Sequence, residues 1–143
     1  MKTQLLKEFI QRIWNEGDLE AASDYLAPRY TVHHDPGDPW EGKTLDLEGF
    51  RRRVRQSRAP VPDQTFRLQE IFENEASVAI TWTWQGTHLG EIAGFPATGH
   101  PLRMSGATVY YFDGDRISGH WQIADRLGIF SQLRQAAMAD GGR

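Results

Sequence analysis

The chain has 143 residues, 39% hydrophobic and 11% aromatic, which is enough for one packed domain and too little for two. Lys and Arg total 16 against 19 Asp and Glu, a formal net charge of -3, so no electrostatic footprint for a phosphate backbone exists and nucleic acid is not an expected partner. The absence of cysteine excludes disulfide frameworks, thiolate nucleophiles and Cys-based zinc sites, and points to a cytoplasmic setting. Lys7, Glu8 and Arg12 interrupt the first apolar stretch. No run of about 20 apolar residues follows, so no membrane partner is expected.

Leu6, Phe9, Ile10, Ile13 and Trp14 recur at helical spacing, with Gly17 placed to end the helix and Asp18 to cap a short second one. Tyr30 to His34 alternates as a brief strand, and Asp35-Pro36-Gly37-Asp38-Pro39 breaks it. A helix fits Leu45 to Ser57, with Leu47, Phe50 and Val54 inward. Arg51, Arg52, Arg53, Arg55 and Arg58 read as its solvated face.

From Thr65 the period changes to two. Val78, Ile80, Trp82 and Trp84 share one face of a strand, and a glycine-rich connection runs from Gly86 to Gly99. That connection has neither the following helix nor the Gly-Lys-Ser/Thr ending of a phosphate cradle. Arg103 to Phe112 and Arg116 to Asp125 read as strands joined at Asp113-Gly114, a tight-hairpin signal. A closing helix is expected from Leu127 to Gln135, making residues 1–135 one domain and 136–143 a frayed tail. Helices followed by an antiparallel meander describe an α+β domain with helices on one sheet face. Ala107 to Phe112 is apolar on both faces, so the outer face is expected to be covered by a second copy in a homodimer.

Two hairpins bring the strand ends near His88 and Asp125 to one rim. If the faces bearing Trp82, Trp84 and Trp121 point at the helices, His88 and Asp125 open into the same apolar space. There burial raises a carboxylate's pKa toward that of a general base. Asp125 also directly precedes a helix and could be its N-cap, which would lower the pKa instead. Both readings stay open. His34 shares the parity of Tyr30 and Val32 and is the inward member of the His33–His34 pair. His120 is expected outward and His100 in the loop, with no His spacing that marks a metal site.

Several short segments together resemble the SnoaL-like polyketide cyclase family of the nuclear transport factor 2-like superfamily. They are Trp14-Asn15-Glu16-Gly17-Asp18, His34-Asp35-Pro36, Pro62-Asp63, Gly86-Thr87-His88-Leu89-Gly90 and Ala97-Thr98-Gly99. Asp113-Gly114-Asp115-Arg116-Ile117, His120-Trp121, and Asp125 through Gln132-Leu133 complete the set. The resemblance implies a cone-shaped, curved antiparallel sheet wrapped by helices around one apolar pocket, in a dimer, with no metal or organic cofactor. It implies a pocket wall of Trp40, Trp82, Trp84, Met104 and Trp121. Asp125 would be the acid/base of an aldol-type ring closure or proton transfer on a hydrophobic carbonyl compound, with His34 and His88 hydrogen-bonding its oxygen. His33 and the Trp40-bearing loop from Gly37 to Thr44 depart from the family's usual pattern. A non-enzymatic small-molecule-binding protein of the same fold is the competing expectation.

Overall fold

The computed structural model describes residues 1–141. Helix α1 (Lys2–Phe9) passes without interruption into a π-helical turn, Ile10–Asn15. The wider turn keeps Leu6, Phe9, Ile10, Ile13 and Trp14 all on the buried side. Gly17, at φ +72°, reverses the chain. A 3-10 helix over Leu19–Asp24 follows, but the Asp18 carboxylate pairs with Arg12 at 3.0 Å instead of capping it.

Strands β1 (Leu26–His34) and β2 (Thr44–Leu45) precede α2 (Leu47–Arg58). The α2 N-terminus is capped by Asp46, whose carboxylate accepts from the Gly49 amide at 2.7 Å. The long strands β3 (Thr65–Glu73), β4 (Ser77–Thr87), β5 (Pro101–Asp113) and β6 (Arg116–Ala124) then form the meander. Helix α3 (Arg126–Gly141) closes the chain; it extends beyond the expected end at Gln135 because Leu133 and Ala136 both pack inward. Gly142 and Arg143, the end of the expected tail, lie outside the described residues.

The six strands form one curved, unclosed sheet in the order β2-β1-β6-β5-β4-β3. All neighbours are antiparallel except β1 and β6, which run parallel because the helical crossover and the whole meander separate them in the chain. The concave face carries Val78, Ile80, Trp82, Trp84, Leu102, Tyr110 and Ile117, against Phe9, Ile13, Trp14, Phe50 and Val54 of the helices. On the convex face one rung reads Phe72, Ala79, Val109, Trp121.

The concave face depends on a close approach at one glycine. Trp82, Gly106 and Ala124 share a rung across β4, β5 and β6. The Trp82 indole lies over the gap, so that a Cβ on Gly106 would stand 2.4 Å from Trp82 Cζ2 and 2.7 Å from the Ile123 carbonyl oxygen. Gly106→Val is therefore expected to destabilise the fold by about 1–3 kcal/mol, as overpacking does. The measurement is a lower urea midpoint with an unchanged m-value.

Candidate functional site

The site begins with an irregularity in β1. Val32 pairs with His120 and His34 with Trp121, so β1 holds one residue more than β6 over this interval. A bulge of this kind reverses the in/out alternation beyond it. Gly119 makes the room, since a Cβ there would meet the Thr31 carbonyl oxygen at 2.5 Å. Beyond the bulge His34 lies on the convex face, stacked on Trp121 at 4.4 Å, and Asp35 turns into the interior with no exposed surface.

Asp35 gathers donors from four side chains. His120 Nε2 lies at 2.8 Å and Arg53 Nη2 at 3.3 Å from one oxygen; Arg126 Nη2 donates to the other at 2.6 Å. Gln122 Nε2 reaches both, at 3.2 and 3.1 Å. Burial alone would raise the Asp35 pKa, but the hydrogen bonds from His120 and Arg126 outweigh it and hold the carboxyl below its ordinary value. Burial pushes His120 the other way from its usual charged range, lowering its pKa despite Asp35. The imidazole is therefore neutral at pH 7. With Nε2–H given to Asp35, its Nδ1 accepts from the Tyr30 hydroxyl at 2.5 Å. Gln122 is held from both ends, because its Oε1 accepts from Thr108 Oγ1 at 2.6 Å and Thr108 in turn accepts from Trp82 Nε1 at 2.9 Å.

Beside this network lies a cavity of about 360 Å³ between the concave face, α2 and α3. Its walls are mostly aromatic and aliphatic, with Trp14, Trp40, Phe66, Trp82 and Trp84 prominent. Among the described residues, the titratable groups on its wall are Asp38, Arg53 and Arg126. Asp38 accepts from the Trp40 amide at 2.8 Å and from Arg53 Nη2 at 3.0 Å. A smaller pocket of about 40 Å³ shares Trp14, Arg53, Phe66, Trp82 and Gln122 with the cavity, and also touches Tyr110 and His120. No group of three or more His, Asp or Glu suited to a metal ion occurs among the described residues.

Of the residues expected at the site, Trp40, Trp82, Trp84 and Met104 line the cavity. Trp121 does not; it is 40% exposed on the convex face. Asp125 follows the same parity outward, is exposed, and accepts the Gly128 amide at 2.9 Å as the N-cap of α3. The expected placement of Asp125 in the pocket mouth is thus corrected, and the reason is the rung that puts Ala124, not its neighbour, beneath Trp82. His34 is likewise off the cavity, displaced by the bulge. His88 is fully buried as its parity required, but it serves the loop: Nδ1 pairs with Thr98 Oγ1 at 3.0 Å, and the residue does not line the cavity.

His120, expected outward, is buried opposite Tyr110. Of the α2 arginines expected to form a solvated face, Arg52 and Arg55 are exposed, but Arg53 and Arg58 are not simply solvated. Arg53 is 4% exposed, three residues from Phe50 on the same helix side, and Arg58 donates to the main-chain oxygens of Trp14, Asn15 and Pro62.

Acid sensitivity follows from these burials. His120, with a folded pKa below its ordinary value of 6.5, gives stability that is complete above that pH and declines as pH falls below it, because the unfolded chain takes up the proton first. Asp35, lowered from 3.8, adds a second loss at still lower pH, as pH falls toward its folded pKa. A urea midpoint that drops as pH falls below about 6.5, and drops less in His120→Gln, is the expected result. Asp35→Leu should cost about 3–5 kcal/mol, since it leaves the His120, Gln122 and Arg126 donors without their shared acceptor and the buried Arg53 with Asp38 as its remaining carboxylate.

Comparison with known proteins places this geometry. A candidate polyketide cyclase from Acidithiobacillus ferrooxidans is 54% identical over 94% of this chain and 95% of its own, with a TM-score of 0.91. IdmH, a candidate polyketide cyclase from Streptomyces antibioticus, is 30% identical over 93% of this chain and 98% of its own, at a TM-score of 0.78. TsrD from Streptomyces laurentii is 26% identical over 92% of each chain, at 0.76. None of the curated proteins compared with the chain matches it. The profile of SnoaL-like polyketide cyclases matches residues 4–133, and with that span matched the chain belongs to the SnoaL-like polyketide cyclase family.

Proposed function

We propose that the protein is a cofactor-independent acid–base enzyme of the cyclase type, acting on a hydrophobic carbonyl compound bound in the tryptophan-walled cavity. The observation that carries this reading is Asp38, a carboxylate on the cavity wall whose side chain is 7% exposed and lies between two guanidinium groups. A carboxylate in an apolar hollow has little water to compete for the proton it takes. Likeness to candidate cyclases supports the reaction class.

In this reading Asp38 removes a proton from a carbon next to a carbonyl. The C–H electron pair becomes the enolate, and its negative charge develops beside Arg126, whose Nη1 makes no hydrogen bond among the described residues. The enolate carbon then attacks a second carbonyl of the same molecule, forming the ring C–C bond. The alkoxide so produced recovers the proton from Asp38. The fixed Asp35 network keeps Arg53, Arg126 and Gln122 in place, so little reorganisation accompanies the charge movement.

Hydrophobic 2-tetralone in deuterated buffer tests the assignment. The wild type should accelerate deuterium exchange at the carbon next to the carbonyl. Asp38→Asn should lose about a hundredfold or more of that acceleration, with binding, read by tryptophan fluorescence, changed only a few-fold. Binding without acceleration in the wild type would favour the binding-protein alternative.

We also propose that a second copy covers the convex face. Phe72, Trp121 and Ile123 are 60%, 40% and 47% exposed there, an apolar stripe of the kind that marks an interface. Light scattering should give twice the 16.3 kDa chain mass, and Trp121→Glu should return it to one chain.

A further inference from the structure

The small pocket behind the main cavity has a polar feature that the acid–base scheme does not use. Tyr110 lines it, is 6% exposed, and makes no hydrogen bond through its hydroxyl among the described residues. Its ring is fixed edge-on to Phe9 at 5.9 Å and lies 6.1 Å from His120. The hydroxyl is not sealed in the packing but opens onto this pocket, where an acceptor atom would replace the hydration that the enclosed space limits.

Among the described residues no neighbouring polar group is placed to accept from the Tyr110 hydroxyl, and most are already engaged with one another. Both His120 nitrogens are committed, to Tyr30 and to Asp35. Gln122 is committed at both ends, to Thr108 and to Asp35, and Trp82 Nε1 is given to Thr108. Arg53 Nε is itself a buried donor without a hydrogen-bond partner. The Arg53 guanidinium lies 5.3 Å over the Trp14 ring, where the π face offsets part of its cost. At the deep end of the cavity the Tyr110 hydroxyl and Arg53 Nε are thus two donors with no acceptor engaged.

Its size decides what fits. About 40 Å³ accommodates one oxygen-sized group, comparable with the roughly 30 Å³ that a water occupies in the liquid, and excludes a ring. We propose that this pocket is an oxygen site, in which Tyr110 Oη donates a hydrogen bond to a carbonyl oxygen of a ligand whose apolar body fills the main cavity. The inference rests on the reading of that cavity as a carbonyl-ligand site, and names the residue that would set its preference for a ketone over a hydrocarbon of the same shape. Burial raises the Tyr110 pKa, so the phenol keeps its proton to donate throughout the neutral range.

A matched pair of probes separates the two claims. 2-Ethylnaphthalene reports the apolar cavity alone, and 2-acetylnaphthalene adds one carbonyl oxygen at nearly the same shape. Titrations following tryptophan fluorescence should give the wild type a preference for the ketone of about tenfold, the scale of one well-placed buried hydrogen bond. Tyr110→Phe should erase that preference and leave affinity for the hydrocarbon unchanged. The carbonyl infrared stretch of the bound ketone should move to lower frequency in the wild type and return in the variant.

Asp38→Asn, which tests the acid–base assignment, should leave the ketone preference in place, so the two readings fail separately. An unchanged preference in Tyr110→Phe, or an unshifted stretch in the wild type, overturns the oxygen site. Failure of the hydrocarbon to bind the wild type overturns the cavity reading and this inference with it. Should Tyr110→Phe not fold, the wild-type stretch and probe ratio decide the matter.

Discussion

The constraint on which the rest of the site depends is the burial of Asp35. A carboxylate with no exposed surface is tolerated only when its lost hydration is replaced, and here the replacement comes from α2, β6 and α3 together. Arg53, His120, Gln122 and Arg126 are far apart in sequence and converge on two oxygen atoms. Their convergence fixes how α2 and α3 sit against the sheet. It also leaves Arg53 and Arg126 on the cavity wall with their directions already set. A buried ion cluster of this kind is weak evidence for stability. As a device for orienting charge in an apolar space it is effective, because every member is held by more than one partner.

The chain reaches this arrangement through a single extra residue. Without the bulge at His33, simple alternation would carry His34 inward and Asp35 out to solvent, and the four donors would face an imidazole. Gly119 is the matching concession in β6, where any side chain would meet the Thr31 carbonyl. The bulge and the glycine thus act as one feature spread over two parallel strands. The consequence on the convex face is the His34–Trp121 stack, which extends the outer rung onto β1.

Most of the architecture was legible in the sequence. Helical periodicity, the change to alternation at Thr65 and the Asp113-Gly114 turn together identify the α+β fold, and the joint order of weak segments identifies the family. The site was legible only in part. Trp40, Trp82, Trp84 and Met104 were found because large apolar side chains on a known face have few other places to go. Asp125 and His120 were assigned to the wrong faces for a physical reason. Trp121 and Ile123 are as apolar as a core-facing pair, and β5 is apolar on both sides, so hydropathy does not choose between the faces. Counting back from the Asp113–Arg116 hairpin also misleads, because a register shift between Tyr111 and Phe112 puts Ala124, and not Ile123, opposite Gly106 and so turns Ile117 inward but Trp121 and Ile123 outward. The bulge at His33 left no mark either, since bulges depend on the partner strand and not on local composition. Arg53 was missed because charge was weighed above position, although its spacing from Phe50 and Val54 places it on the buried side of α2.

The division of labour in the cavity follows from which parts of the fold can vary. The sheet supplies a rigid aromatic wall and the buried tyrosines, whose positions are fixed by pairing register. Asp38 instead lies in the turn that follows β1, where its carboxylate is set by the Trp40 amide and by Arg53 rather than by a strand. A turn can change length or composition without disturbing the ladder, so the proposed acid–base group can be moved while the cavity is kept. The same logic separates the two polar ends of the cavity. Tyr110 cannot be repositioned without repacking Phe9 and His120, whereas Asp38 and Trp40 can. The ligand preference proposed for the sheet and the proton chemistry proposed for the turn are therefore independent variables of one fold, as expected where a scaffold and its chemistry are separable.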